Sequence, residues 1–121
     1  MLFRSDEDAV RNLAKLVLSS GGYNVLEARD GQEALRVAAE HPGRIHLLVT
    51  DLVMPHLAGR QLAEILVRSM PDLGIILMSG YTDEAIQPHA GTAKVEFLQK
   101  PFSPTVLSKK VREVLDALPK R

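Results

Sequence analysis

Two short apolar runs limit what this chain can fold into. Ile45-His46-Leu47-Leu48-Val49-Thr50 and Ile75-Ile76-Leu77-Met78 are strand-length and almost continuously apolar. A strand with one wet face would alternate polar and apolar residues, so these runs predict strands covered on both faces. Between them Leu62, Ile65, Leu66 and Met70 recur at helical spacing, and Pro71-Asp72 breaks the pattern. Two buried strands joined through a helix imply a parallel pair with a right-handed crossover.

The same alternation runs through the rest of the chain. Leu2-Phe3 opens a short strand, and Ala9, Val10, Leu13, Leu16 and Val17 mark a helix ended by Gly21-Gly22. Tyr23 to Ala28 reads as a strand. Asp30, with Glu33 three residues on, looks like a capping-box variant that opens a helix striped by Ala34, Leu35 and Ala38, with Pro42-Gly43 as its stop. Thr82 to roughly Ala90 is a weak helix, limited by Pro88 and Gly91. Val95 to Leu98 is the last strand. Ser103-Pro104 caps a final helix lined by Leu107, Val111, Val114, Leu115 and Leu118. Five strands and five helices predict one open α/β sheet with helices on both faces, and 121 residues suit a single domain over 1–121.

Composition narrows the function. Fifteen basic and fifteen acidic residues cancel, which argues against direct nucleic acid binding and against direct membrane contact. There is no cysteine, so thiolate zinc sites, disulfides and cysteine nucleophiles are excluded. A reducing cytoplasm is expected. No apolar run approaches the roughly 20 residues needed to span a bilayer, and Met1-Leu2-Phe3-Arg4 is too short to read as a signal peptide.

Ligands of open α/β sheets sit beyond the carboxyl ends of the strands. Those ends carry Ser5-Asp6-Glu7, Asp51, Ser79-Gly80 and Lys100-Pro101. Clustered carboxylates repel one another unless a cation joins them, and Mg²⁺ is the hard cation that suits a phosphate substrate. Phosphoryl transfer needs positioned charge on the equatorial oxygens, which a metal, Lys100 and the Ser79 hydroxyl could share. A carboxylate can be the nucleophile, forming an acyl phosphate.

At these residues the chain resembles a known family. Asp6-Glu7, Asp51-Leu52-Val53-Met54-Pro55-His56-Leu57-Ala58-Gly59, Ser79-Gly80-Tyr81-Thr82 and Phe97-Leu98-Gln99-Lys100-Pro101-Phe102 are similar to the motif set of response-regulator receiver domains of two-component systems. The resemblance covers essentially the whole chain. It implies a flavodoxin-like doubly wound sheet of strand order 2-1-3-4-5 and a phosphorelay function. Asp51 would accept the phosphoryl group from a histidine kinase or histidine phosphotransfer domain. Mg²⁺ would sit on Asp6, Asp51 and the Val53 backbone carbonyl. Ser79 would bond a phosphoryl oxygen after transfer, Lys100 would pair with Asp51 or the phosphoryl group, and the Lys100–Pro101 bond would be cis. Ser79 and Phe97 would act as the switch, read out on the surface of the fourth helix, fifth strand and fifth helix. For Phe97, plain core packing stays open beside the switch role. The Lys100-to-Pro104 stretch looks more like the receivers of hybrid sensor histidine kinases, which would tether the domain to a membrane sensor through another domain.

The chain departs from that pattern at its start. Ser5 stands where the family has an acid, which implies weaker Mg²⁺ binding. Arg4 falls where an apolar residue is expected, and burying an unpaired arginine is costly. A weak mid-sheet strand could favour exchange of this element between two chains, which makes a homodimer an open expectation. Val53 and Tyr81 orient water poorly, which predicts slow self-dephosphorylation. Glu7 reads as a helix N-terminal charge rather than a ligand. His41, His46, His56 and His89 lack close metal-ligand spacing and read as surface or loop residues. Two rival readings stay open: a degenerate receiver acting through phosphorylation-independent protein contacts, and a flavin- or nucleotide-binding protein on the same fold. The second lacks a glycine-rich phosphate loop after the first strand.

Overall fold

In the computed structural model of the chain, β1 (Leu2–Arg4), β2 (Leu26–Ala28), β3 (Leu47–Asp51), β4 (Gly74–Ser79) and β5 (Lys94–Gln99) form one parallel sheet in the order β2-β1-β3-β4-β5. Residues 1–5, 7–41, 45–51, 59–79, 94–100 and 102–117 are described, apart from the side chains of Arg60 and Lys94. The described helices are α1 (Asp8–Ser20), α2 (Gly31–Glu40), α3 (Gly59–Ser69) and α4 (Pro104–Ala117). The weak helix expected over Thr82 to Ala90, the Pro42-Gly43 stop and Leu118 lie outside the described residues.

The continuous apolar runs serve two cores at once. Leu48, Ile75 and Leu77 face α2 and α3, where they meet Ala34, Leu62 and Leu66. Leu47, Val49, Ile76 and Met78 face α1 and α4, where they meet Leu18, Leu107 and Val111. Successive side chains of a strand point to opposite faces, so a strand between two helical layers needs apolar residues throughout.

β1 forms despite its brevity. It lies between β2 and β3, with Leu2 in register with both Leu26 and Leu48. Leu2, Phe3 and Arg4 are all fully buried. Arg4 thus occupies an apolar residue's place in mid-sheet, beside Ala28 and Thr50, and makes interactions of its own there.

Local signals set the helix ends. The Asp30 side chain accepts a hydrogen bond from Glu33 N at 2.8 Å, and Glu33 Oε1 accepts from Arg29 N at 2.7 Å. The box therefore closes one residue before the cap. Ser103 Oγ accepts from Val106 N at 3.2 Å, with Pro104 at the first helical position. After α1, Gly22 adopts φ +91°, a conformation costly for any residue with a Cβ.

Three expectations need correction. β2 is shorter than Tyr23 to Ala28: it pairs only over Leu26–Ala28. Its sole described strand partner, the three-residue β1, can support no more. Leu13 and Leu16 are not core residues, being 37% and 67% exposed. α1 meets the sheet through Val10, Ala14 and Leu18, and each residue step turns about 100°, which carries Leu13 and Leu16 away from that line. Ile65 of α3 is likewise exposed, because Leu62, Ala63 and Leu66 form the buried side.

Candidate functional site

The parallel register brings three of the singled-out residues to one edge. Asp51 ends β3 opposite Met78, and Ser79 ends β4 opposite Gln99. Lys100 follows β5, and its backbone N–H donates to the Ser79 carbonyl at 2.8 Å. Ser5 follows β1, its N–H donating to the Ala28 carbonyl at 3.1 Å. Asp6, Val53, Tyr81 and Pro101 lie outside the described residues.

Asp51 is the centre of the arrangement. It is 2% exposed, and neither carboxylate oxygen accepts a hydrogen bond among the described residues. Lys100 Nζ stands 2.5 Å from Oδ1, an ion pair between a part-buried ammonium and a buried carboxylate. The same ammonium donates to Glu7 Oε1 at 2.8 Å. Burial alone would push the Lys100 pKa down. The carboxylates of Asp51 and Glu7 outweigh that effect and hold it above its ordinary value.

Glu7 is thus more than the helix N-terminal charge expected from the sequence. It occupies the N-cap of α1, yet its side chain makes no capping bond and reaches Lys100 instead. No local pattern could have revealed this pair, whose members are 93 residues apart. Ser5 is buried and committed to the turn: its Oγ accepts from Glu7 N at 3.2 Å and its carbonyl from Arg11 Nη1 at 2.7 Å. Arg11 also pairs with Asp8.

Two carboxylates share one ammonium at this edge, and among the described residues the buried one has oxygen lone pairs to spare. A hard divalent cation with oxygen ligands fits such a set. The described residues alone supply no group of three acids or histidines for a metal. Phe97 is half-buried, in register with Leu77, and packs against the core facing α2 and α3. Ser79 is buried. His41 and His46 line a groove at the opposite edge with Met1, Tyr23 and Asn24, remote from Asp51 along the strands, and His56 and His89 lie outside the described residues.

The model of the response regulator receiver domain matches residues 3–112. The chain is 40% identical over 117 residues to part of the sensor kinase CckA of Brucella abortus (strain 2308), covering 96% of this chain and 12% of that protein. It is 30% identical over 118 residues to the response regulator receiver protein CpdR of the same organism and strain, covering 97% of each. A solved receiver domain from the hybrid histidine kinase CckA superposes with a TM-score of 0.79 at 35% identity, over 94% of this chain and 96% of that one. A receiver domain protein from Clostridium thermocellum superposes with a TM-score of 0.82 at 27% identity, over 95% and 92%. The chain spans 47% of a probable transcriptional regulator ycf27 of Porphyridium aerugineum, so several relatives extend well beyond it. No described helix is long and apolar enough to cross a membrane. A match over most of the length, on a sheet of this order, means that the chain belongs to the response regulator receiver domain family.

Proposed function

We propose that residues 1–121 form one receiver domain in which Asp51 accepts a phosphoryl group from a phosphohistidine. The observation that carries this reading is the buried Asp51 carboxylate in contact with Lys100 at the carboxyl edge of the sheet. An Asp51 oxygen attacks phosphorus, forming an acyl phosphate. The bond from phosphorus to the donor imidazole nitrogen breaks, and its electron pair returns to that nitrogen. Lys100 pairs with the Asp51 carboxylate before transfer and neutralises phosphoryl oxygen charge afterwards. The Ser79 hydroxyl, at the end of the neighbouring strand, donates to a phosphoryl oxygen. Asp6, Asp51 and the Val53 carbonyl would hold Mg²⁺, which when bound neutralises charge on the transferring group. Transfer changes the partner-binding surface, with Ser79 and Phe97 as the moving parts.

The partners are a histidine kinase or histidine phosphotransfer domain, and the setting is the cytoplasm. The domain is a phospho-acceptor rather than a turnover enzyme, and it loses its phosphoryl group slowly. Its 40% identity to part of a sensor kinase supports a place in a hybrid kinase. Intact mass after incubation with Mg²⁺ and acetyl phosphate tests the reading. One added phosphoryl group on the parent, absent without Mg²⁺, is expected. A folded parent that gains none is a degenerate receiver.

A further inference from the structure

We infer that Glu7 is the positioning residue that holds the Lys100 ammonium over Asp51, supplying the negative charge that Ser5 does not. This rests on the phospho-acceptor reading and adds a residue to its machinery.

Ser5 cannot serve as an acid. It is fully buried, and its N–H, Oγ and carbonyl are all committed: to Ala28, to Glu7 N and to Arg11. Those bonds fix the turn that carries the chain from β1 into α1. The guanidinium of Arg11, with its side chain only 11% exposed, ties the first turn of α1 back to this turn and steadies the backbone of Glu7.

The Glu7 carboxylate then has two uses to choose between. At a helix N-terminus it could cap the free N–H groups and gain from the helix dipole. It makes no such bond, and donation from Lys100 at 2.8 Å takes its place. Lys100 is a long, flexible side chain with three donors, and one contact would leave it several rotamers. Contacts to both Glu7 Oε1 and Asp51 Oδ1 fix the ammonium between two carboxylates on different elements. A lysine so placed needs no reorganisation when charge develops on a group transferred to Asp51.

The test uses the full chain as parent, Glu7→Gln, Lys100→Met and the double variant, each with two readouts. The first is the urea midpoint. Glu7→Gln should lower it when Lys100 is present and leave it unchanged in the Lys100→Met background. The second is the rate of mass gain from acetyl phosphate with Mg²⁺. Glu7→Gln should slow it by about three- to tenfold in the parent and by less than about twofold beside Lys100→Met. Adding Ser5→Asp to Glu7→Gln should recover much of the lost rate, which a purely structural role would not allow. Equal midpoint shifts in both backgrounds would overturn the inference, and so would equal rate losses. Coupled midpoints in a parent that gains no mass would uphold the Glu7–Lys100 anchor and overturn the acceptor reading instead.

Discussion

Replacing Lys100 with Met should destabilise the protein chiefly through what it does to Asp51. Lys100 Nζ lies 2.5 Å from Asp51 Oδ1, and the two side chains are 21% and 3% exposed. At an effective dielectric of about 20, unit charges that close attract by roughly 6–7 kcal/mol before desolvation is subtracted. Partial exposure of the lysine and the cost of holding two ions out of water leave about 1.5–3 kcal/mol as the expected net loss. The loss comes from leaving a buried carboxylate without the cation that pairs with it. Asp51→Asn removes that buried charge, and Lys100 keeps Glu7, so this change should cost less. In the Asp51→Asn background, Lys100→Met should cost under about 1 kcal/mol. Urea denaturation of the four proteins in metal-free buffer gives the cycle. A coupling within about 0.5 kcal/mol of zero would refute the reasoning, because the contact would then carry no net energy.

Other outcomes follow from the same structure. Asp30→Ala removes the acceptor for Glu33 N at the start of α2 and should lower stability by about 1 kcal/mol, read from thermal unfolding. Leu18→Ala, in the core between α1 and the sheet, should cost about 2–5 kcal/mol, whereas Leu16→Ala on the exposed face should stay within about 0.5 kcal/mol of the parent. Similar losses from both leucine changes would contradict the placement of α1. The raised pKa of Lys100 sets a pH window. Its stabilisation is complete below the ordinary lysine value of about 10.4 and fades as pH rises through the higher folded-state value. The urea midpoint difference between the parent and Lys100→Met should therefore stay constant from about pH 7 to 9. A decline within that range would oppose the assignment.

The sheet was legible because its central strands are buried on both faces, and few arrangements require such continuous apolar runs. The strand ends then put Asp51, Ser79 and Lys100 on one edge without further information. The start of β2 is not legible in the sequence, since Tyr23 and Val25 look like strand residues. They instead pack against the core under α1 and α4, and Arg112 of α4 lies 5.9 Å from the Tyr23 ring. Leu13 and Leu16 misled for a related reason. Apolar periodicity reports the width of an apolar arc, not how much of it the sheet can cover. The Glu7–Lys100 pair lay beyond sequence reasoning altogether, because nothing local indicates that a carboxylate at a helix start will turn from the helix to a lysine beyond the last strand. Arg4 stands out in the sequence as a charge in an apolar strand, but its complete burial there follows only from the packing.

The most direct measurement of the central claim is chemical mapping of the modified residue. The protein would be incubated with Mg²⁺ and acetyl phosphate, reduced with borohydride, digested and sequenced by mass spectrometry. Borohydride converts an aspartyl phosphate to homoserine, so the account predicts homoserine at position 51 and nowhere else. Homoserine at another acid, or none in a protein shown to be folded, would contradict the assignment of Asp51 as the acceptor.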